Sequence, residues 1–200
     1  MSFLDWLDNT SFVIWIREST SVFAYPTIIA FHTFSLVLLV GLSCAVALRT
    51  LGVARDVPLP PLDRFFRLMW IGFWISAVSG VLLLASDVRG FLDNPVFYVK
   101  LASIAVGVFM VWMLRRLVFR EAAEPGRRPI SSAGKTVAAG VLVTWLVALT
   151  VGRVLAYDRF IQWQTAGATL VLAIVMLVAG FVGARALRAT PAAAAPRTAR

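Results

Sequence analysis

The chain contains one cysteine, Cys44, and one histidine, His32, in 200 residues. A lone cysteine excludes an intrachain disulfide and any CxxC metal or redox motif. A lone histidine excludes bis-histidine ligation of a haem within one chain. A nucleophile elbow, an HExxH motif, a phosphate-binding glycine loop and paired carboxylates inside an apolar run are also missing, so neither hydrolytic nor nucleotide chemistry is expected. Acidic residues are scarce, 10 against 19 Lys and Arg. The first nine residues carry Asp5 and Asp8 but no Lys or Arg. They therefore lack the basic start of a cleavable signal peptide, and the N-terminus is expected to be retained.

What the chain has in excess is apolar sequence. Sixty per cent of the residues are hydrophobic and the mean hydropathy is +0.85, far above an ordinary soluble domain. The apolar residues fall in separate runs near the ~20 residues that span a ~30 Å hydrocarbon core. The expected fold is all-α: a polytopic membrane helix bundle of five transmembrane helices over about Tyr25–Leu48, Leu68–Ser86, Pro95–Leu117, Ala133–Leu155 and Ala166–Leu187. Residues 1–24 mix Phe3, Trp6, Phe12 and Trp15 with Asp5, Asp8, Arg17 and Glu18, as in an amphipathic helix lying in the membrane interface. Residues 25–187 form the transmembrane domain, and the Ala, Pro and Arg tail 188–200 is expected to be a disordered cytoplasmic segment.

The net charge of +9 does not point to nucleic acid, because the arginines sit in short loops and form no continuous basic face. They act instead as topology signals. Arg49, Arg55, Arg64 and Arg67 follow the first span, Arg115 to Lys135 join the third and fourth, and Arg185 to Arg200 close the chain. The other side holds Arg17, Arg89, Arg153 and Arg159. The bias places the N-terminus in the periplasm and the C-terminus in the cytoplasm of a bacterial inner membrane.

Ionisable groups inside a span are expensive and usually face a cavity or a partner. In the first span Tyr25, His32, Ser35 and Ser43 fall within roughly 80° of one another at about 100° per residue. In the third, Lys100, Ser103 and Gly107 share a stripe, and Thr150, Arg153 and Tyr157 do so in the fourth. His32 and Lys100 both lie about 8 to 10 Å below the outer boundary at about 1.5 Å per residue. Ser79 reaches a similar level, with Arg153, Tyr157 and Asp87 just above. The candidate cofactor site is therefore His32, Lys100, Ser35, Ser79, Tyr25, Arg153 and Tyr157, with His32 as the metal ligand. Gly72, Ser76 and Gly80, at four-residue spacing, read more simply as a helix-packing face, and Cys44 as a small apolar packing residue.

Tyr25-Pro26, His32 and Gly41, then Trp70-x-Gly72-Phe73 with Ser79-Gly80-Val81-Leu82-Leu83, Asn94-Pro95-Val96-Phe97-Tyr98-Val99-Lys100-Leu101, and Gly152-Arg153 with Ala156-Tyr157 together resemble an uncharacterised family of bacterial multi-pass membrane proteins, over about Arg17 to Tyr157. A His early in span one, a Gly-containing span two and an aromatic-x-Lys start to span three are more distantly similar to the membrane domains of copper-resistance protein D and the HemJ-type protoporphyrinogen oxidase. The latter resemblance implies haem or porphyrin chemistry at His32 and Lys100. Ala47 stands before Leu48-Arg49 where the first family suggests an acid, and the extra histidines of the HemJ type are absent.

Three functions follow as expectations. The first is electron transfer with a b-type haem on His32, or a quinone hydrogen-bonded by His32 and Lys100, working with a membrane or periplasmic redox partner. The second is passage of copper or a small solute through the bundle, although Cys44, Met69, Met110 and Met113 lie deeper than His32 and leave a three-ligand copper site without donors. The third is a non-catalytic subunit or scaffold, docking partner helices or a second copy of itself through small-residue faces. Whether the protein is an enzyme stays open.

Overall fold

The computed structural model describes residues 3–119 and 130–155 and eight single positions between 157 and 175. Two compact units are distinguished, Met1–Gly152 and Arg153–Arg200, and the architecture below belongs to the first. Among the described residues every regular element is helical. Helices α1 (Phe3–Asp8) and α2 (Ser11–Glu18) precede four that are long and apolar enough to cross a membrane. These are α3 (Tyr25–Leu51, 27 residues), α4 (Pro60–Ser86, 27 residues), α6 (Pro95–Phe119, 25 residues) and α7 (Ser132–Val154, 23 residues). The short α5 (Val88–Leu92) links α4 to α6. At about 1.5 Å per residue each long helix exceeds a ~30 Å hydrocarbon core. Of the fifth expected span, Ala166–Leu187, only Gly167, Ala168, Val171, Ile174 and Val175 are among the described residues, and the tail lies outside them.

Helix ends follow from local sequence. Pro26 and Pro95 occupy first-turn positions where no intrahelical N–H is needed, and Asn94 caps α6 by accepting from the Val96 N–H at 3.0 Å. Gly52, at φ 96°, closes α3: its N–H donates to Arg49 O and that of Val53 to Leu48 O, the pairing that a left-handed residue permits. Asp87 caps α5 through the Gly90 N–H at 3.1 Å, and a side chain at position 90 would collide with the Asp87 carboxylate.

The single N-terminal helix expected from sequence is divided at Asn9–Thr10, where the Thr10 hydroxyl donates to Leu7 O and competes with helix continuation. α2 turns Val13 and Ile16 inward, 2% and 0% exposed, and leaves Phe12 and Trp15 outward, their rings stacked at 6.3 Å. Arg89 of α5 pairs with Asp5 and, at 3.5 Å, with Asp8, which fastens α1 to the same end of the bundle.

Two helix pairs make up the bundle interior. α3 and α4 approach so closely that a methyl group at Gly72 would stand 2.8 Å from Ser35 O and 3.2 Å from Leu39 N. α6 and α7 use glycine differently. A methyl at Gly107 would meet the Trp145 ring at 3.3 Å, one at Gly140 the Met110 sulfur at 3.4 Å, and one at Gly152 the Lys100 Cε at 3.7 Å. Gly107 thus seats the Trp145 ring, whereas a methyl at Gly140 or Gly152 would stand at ordinary contact distance from the facing side chain. The core between the pairs gathers Leu39, Val46, Phe66, Met69, Leu114, Val141 and Trp145.

One segment departs from α geometry inside a span. Residues Val37–Gly41 form a π turn, so positions before and after it no longer follow one 100° repeat. The polar stripe expected from Tyr25 to Ser43 is not uniformly buried, and the difference lies on the N-terminal side of that turn. Ser35 and Ser43 are buried, at 2% and 0% exposure, whereas Tyr25 at the helix start is 43% exposed.

Candidate functional site

Among the polar groups within the four long helices, His32 has the most developed surroundings. The ring is half-buried between α3 and α4. Its Nδ1 lies 3.1 Å from the Ser76 carbonyl oxygen and 3.0 Å from Ser79 Oγ. A carbonyl only accepts, so this network assigns the proton to Nδ1. The Ser79 hydroxyl donates to Ile75 O at 2.6 Å, which leaves its lone pairs free to accept from Nδ1–H. In the neutral ring Nε2 then carries the lone pair. Among the described residues it has no hydrogen-bond partner.

Gly80 completes the seat. A methyl there would stand 3.3 Å from His32 Cε1 and 3.7 Å from Nδ1, so the glycine lets the ring lie flat against α4. Ser76, Ser79 and Gly80 thus hold the imidazole through a backbone oxygen, a hydroxyl and a missing side chain. The four-residue spacing of Gly72, Ser76 and Gly80 was readable as a packing face, and Gly72 does pack. Ser76 and Gly80 serve the histidine as well, and no side-chain pattern signals a role for a main-chain carbonyl.

Lys100 is half-buried on α6, with its Cε against Gly152 of α7. No hydrogen bond joins it to His32. It forms no ion pair or hydrogen bond among the described residues. An unneutralised ammonium in a span calls for an acceptor or an anion.

The remaining candidates divide. Ser35 is buried at the α3–α4 crossing, where its hydroxyl donates to His32 O at 2.8 Å; it trims the helix and offers nothing to a ligand. Tyr25 is exposed at the start of α3, without a hydrogen bond to the histidine or to Ser79 among the described residues. Arg153 and Tyr157 belong to the second unit and are both exposed there. The group that the first unit brings together is therefore His32 and Ser79, with Ser76 and Gly80 added, while Lys100 packs against Gly152 and is not hydrogen-bonded to that group.

Two further features were not legible in the sequence. Trp145 is 1% exposed and its indole N–H is the buried side-chain polar atom left without a partner among the described residues. A groove of about 400 Å³ runs between α3 and α4, lined by Phe31, Trp74, Val78, Leu82 and Ser79 among others. Phe31, Trp74 and Val78 are exposed, so the groove faces outward from the bundle and reaches the hydroxyl that holds His32. Among the described residues no three His, Cys, Asp or Glu side chains come together as a metal-binding group. No family model, no curated protein and no solved structure matches the chain.

Proposed function

We propose that the protein is a multi-pass protein of the bacterial inner membrane, N-terminus periplasmic and C-terminus cytoplasmic, that holds a redox cofactor at His32 for electron transfer. The observation that carries this reading is the imidazole itself: Nδ1–H given to Ser76 O and Ser79 Oγ, Nε2 unpartnered. Histidines that ligate metals commonly donate their other ring N–H to a carbonyl, which fixes tautomer and orientation and makes Nε2 a better donor. A b-type haem accepts one neutral imidazole and supplies one-electron chemistry. With one histidine in the chain, a second axial position would be filled from elsewhere. His32 would provide the ligand atom, Gly80 the clearance beside the ring, and Lys100 a positive charge for an acidic substituent.

A second reading, quinone binding, is favoured by the groove between α3 and α4. A lipid-soluble quinone would lay its apolar tail along Phe31, Trp74 and Val78. Lys100 would donate to a carbonyl oxygen of the quinone, and Nε2 of His32 would accept from a hydroxyl of the reduced quinol. Either reading puts the chemistry where ionisable side chains would otherwise lack partners.

An absorbance spectrum of the detergent-purified protein, oxidised and reduced, tests the haem reading. A Soret band that is lost in His32→Ala, with the fold retained by circular dichroism, is the expected result. A colourless protein whose lipid extract contains quinone in the wild type but not in His32→Ala moves the assignment to quinone. A preparation with neither cofactor rejects electron transfer and leaves solute passage or a scaffold role.

A further inference from the structure

At the arginine-rich end of the first unit, guanidinium groups fall into two classes. Arg115 is held by Asp63, Nε to Oδ1 at 2.9 Å, and lies over the Phe66 ring at 5.3 Å. Arg49 is turned back on its own loop, donating to the carbonyls of Val57 and Arg55. These two guanidiniums brace the structure. Arg64, Arg67 and Arg116 do not: all three are exposed, and none makes an ion pair or hydrogen bond among the described residues. Arg64 and Arg67 stand three residues apart at the start of α4, and the Arg115–Asp63 pair joins that stretch to the end of α6 that carries Arg116.

The surroundings are those of a lipid boundary. Arg116 lies 4.0 Å above the Trp112 ring, which holds its guanidinium at the level of an indole that is itself 40% exposed. Trp70, Leu68 and Ile71 of α4 are likewise exposed immediately beyond Arg67. The acids described at this end are Asp63, already paired with Arg115, and Asp56, which makes no ion pair among the described residues and is outnumbered by the exposed Arg55, Arg64, Arg67 and Arg116. An unbalanced positive group therefore stands where apolar helix surface ends and exposed tryptophans begin, the position of a phosphate headgroup.

From this juxtaposition we infer that Arg64, Arg67 and Arg116 form a binding surface for the headgroup of an anionic phospholipid, whose acyl chains run along the apolar flank of α4 and α6. The surface does not depend on the His32 reading. Guanidinium groups suit it because they pair with phosphate oxygens through two parallel N–H donors.

The test is native mass spectrometry of the full chain in detergent with equimolar phosphatidylglycerol and phosphatidylcholine. Preferential retention of phosphatidylglycerol is expected. Each arginine changed to glutamine should reduce that preference about fivefold, the increment for one basic residue near an anionic surface. The Arg64→Lys, Arg67→Lys, Arg116→Lys triple variant should keep most of it, and Arg89→Gln, at the other end, should change nothing. Equal retention of the two lipids by the native chain would overturn the inference. So would a folded Arg64→Gln, Arg67→Gln, Arg116→Gln variant that retains phosphatidylglycerol as the native chain does. Should that variant fail to fold, the comparison of the two lipids on the native chain still decides.

Discussion

The α3–α4 pair and the α6–α7 pair both rely on glycine, for opposite ends. Across α3–α4, Gly72 removes a side chain so that two backbones can touch, 2.8 Å from a would-be methyl to Ser35 O. Across α6–α7, Gly107 removes a side chain so that the Trp145 ring has room, while Gly140 and Gly152 lie at ordinary contact distance from Met110 and Lys100. Backbone contact brings a carbonyl, Ser76 O, within reach of a facing imidazole; a seat for a bulky side chain does not. The polar chemistry of the first unit accordingly collects on α4 opposite His32, while the α6–α7 contact is mostly apolar, with Lys100 near one end. In lipid, where apolar surface gains little from leaving the solvent, close backbone packing and interhelical hydrogen bonds are what hold helices together.

The comparison can be broken most easily at its tightest point. Gly72→Val would force a side chain into the Ser35 carbonyl and the backbone of Leu39, and a loss of about 3 kcal/mol or failure to fold is expected, overpacking of a contact that cannot relax. Thermal melting in detergent measures it, and an unchanged midpoint would remove the close crossing from the account. Gly107→Ala meets the Trp145 ring at 3.3 Å; a cost of about 1 to 2 kcal/mol is expected because the ring can shift slightly. If Gly107→Ala proves the more damaging of the two, the two interfaces have been assigned the wrong way round.

Smaller effects sharpen the same contrast. Ser79→Ala deletes one of the two acceptors of Nδ1–H and should destabilise by about 1 kcal/mol, since Ser76 O remains. Gly80→Ala should alter stability by less than that, yet tilt the ring through the 3.3 Å contact with Cε1. Its readout is therefore the cofactor spectrum, with loss or displacement of the bound cofactor expected at a nearly unchanged melting midpoint. Least affected should be Arg89→Gln, which removes exposed ion pairs to Asp5 and Asp8 that contribute under about 1 kcal/mol. A large loss there would mean that α1 stabilises the bundle and is not merely tethered to it.

The four long helices were legible because length and hydropathy determine them together: Tyr25, Ser86 and Pro95 are boundaries in both the sequence reading and the structure. Residues at the arginine-rich ends were harder, since a helix continues past the apolar run wherever backbone pairing is available. Thus α3 extends from Leu48 to Leu51, and α4 begins at Pro60 instead of Leu68. His32, Lys100 and Ser79 stand out in the sequence because polar atoms at one depth are conspicuous among apolar residues, and the structure joins the first and the last of them, His32 Nδ1 to Ser79 Oγ at 3.0 Å. What was hidden had no side-chain signature. The π turn at Val37–Gly41 interrupts an apolar run without any marking residue, and one of the two acceptors for the imidazole is a main-chain oxygen. Nothing in the sequence marks Trp145 as the residue that lies against Gly107. The expected grouping of Arg153 and Tyr157 with His32 relied on depth alone and concerns residues of a separate unit.

Because His32 is the sole histidine, ¹⁵N-histidine NMR of the detergent-solubilised protein reports on one ring without ambiguity. The account predicts a protonated Nδ1 and an unprotonated Nε2 in the cofactor-free protein, with Nε2 the nitrogen that shifts when haem or quinone is added. A ring protonated on Nε2 instead, or one whose Nε2 signal is indifferent to either cofactor, would contradict it.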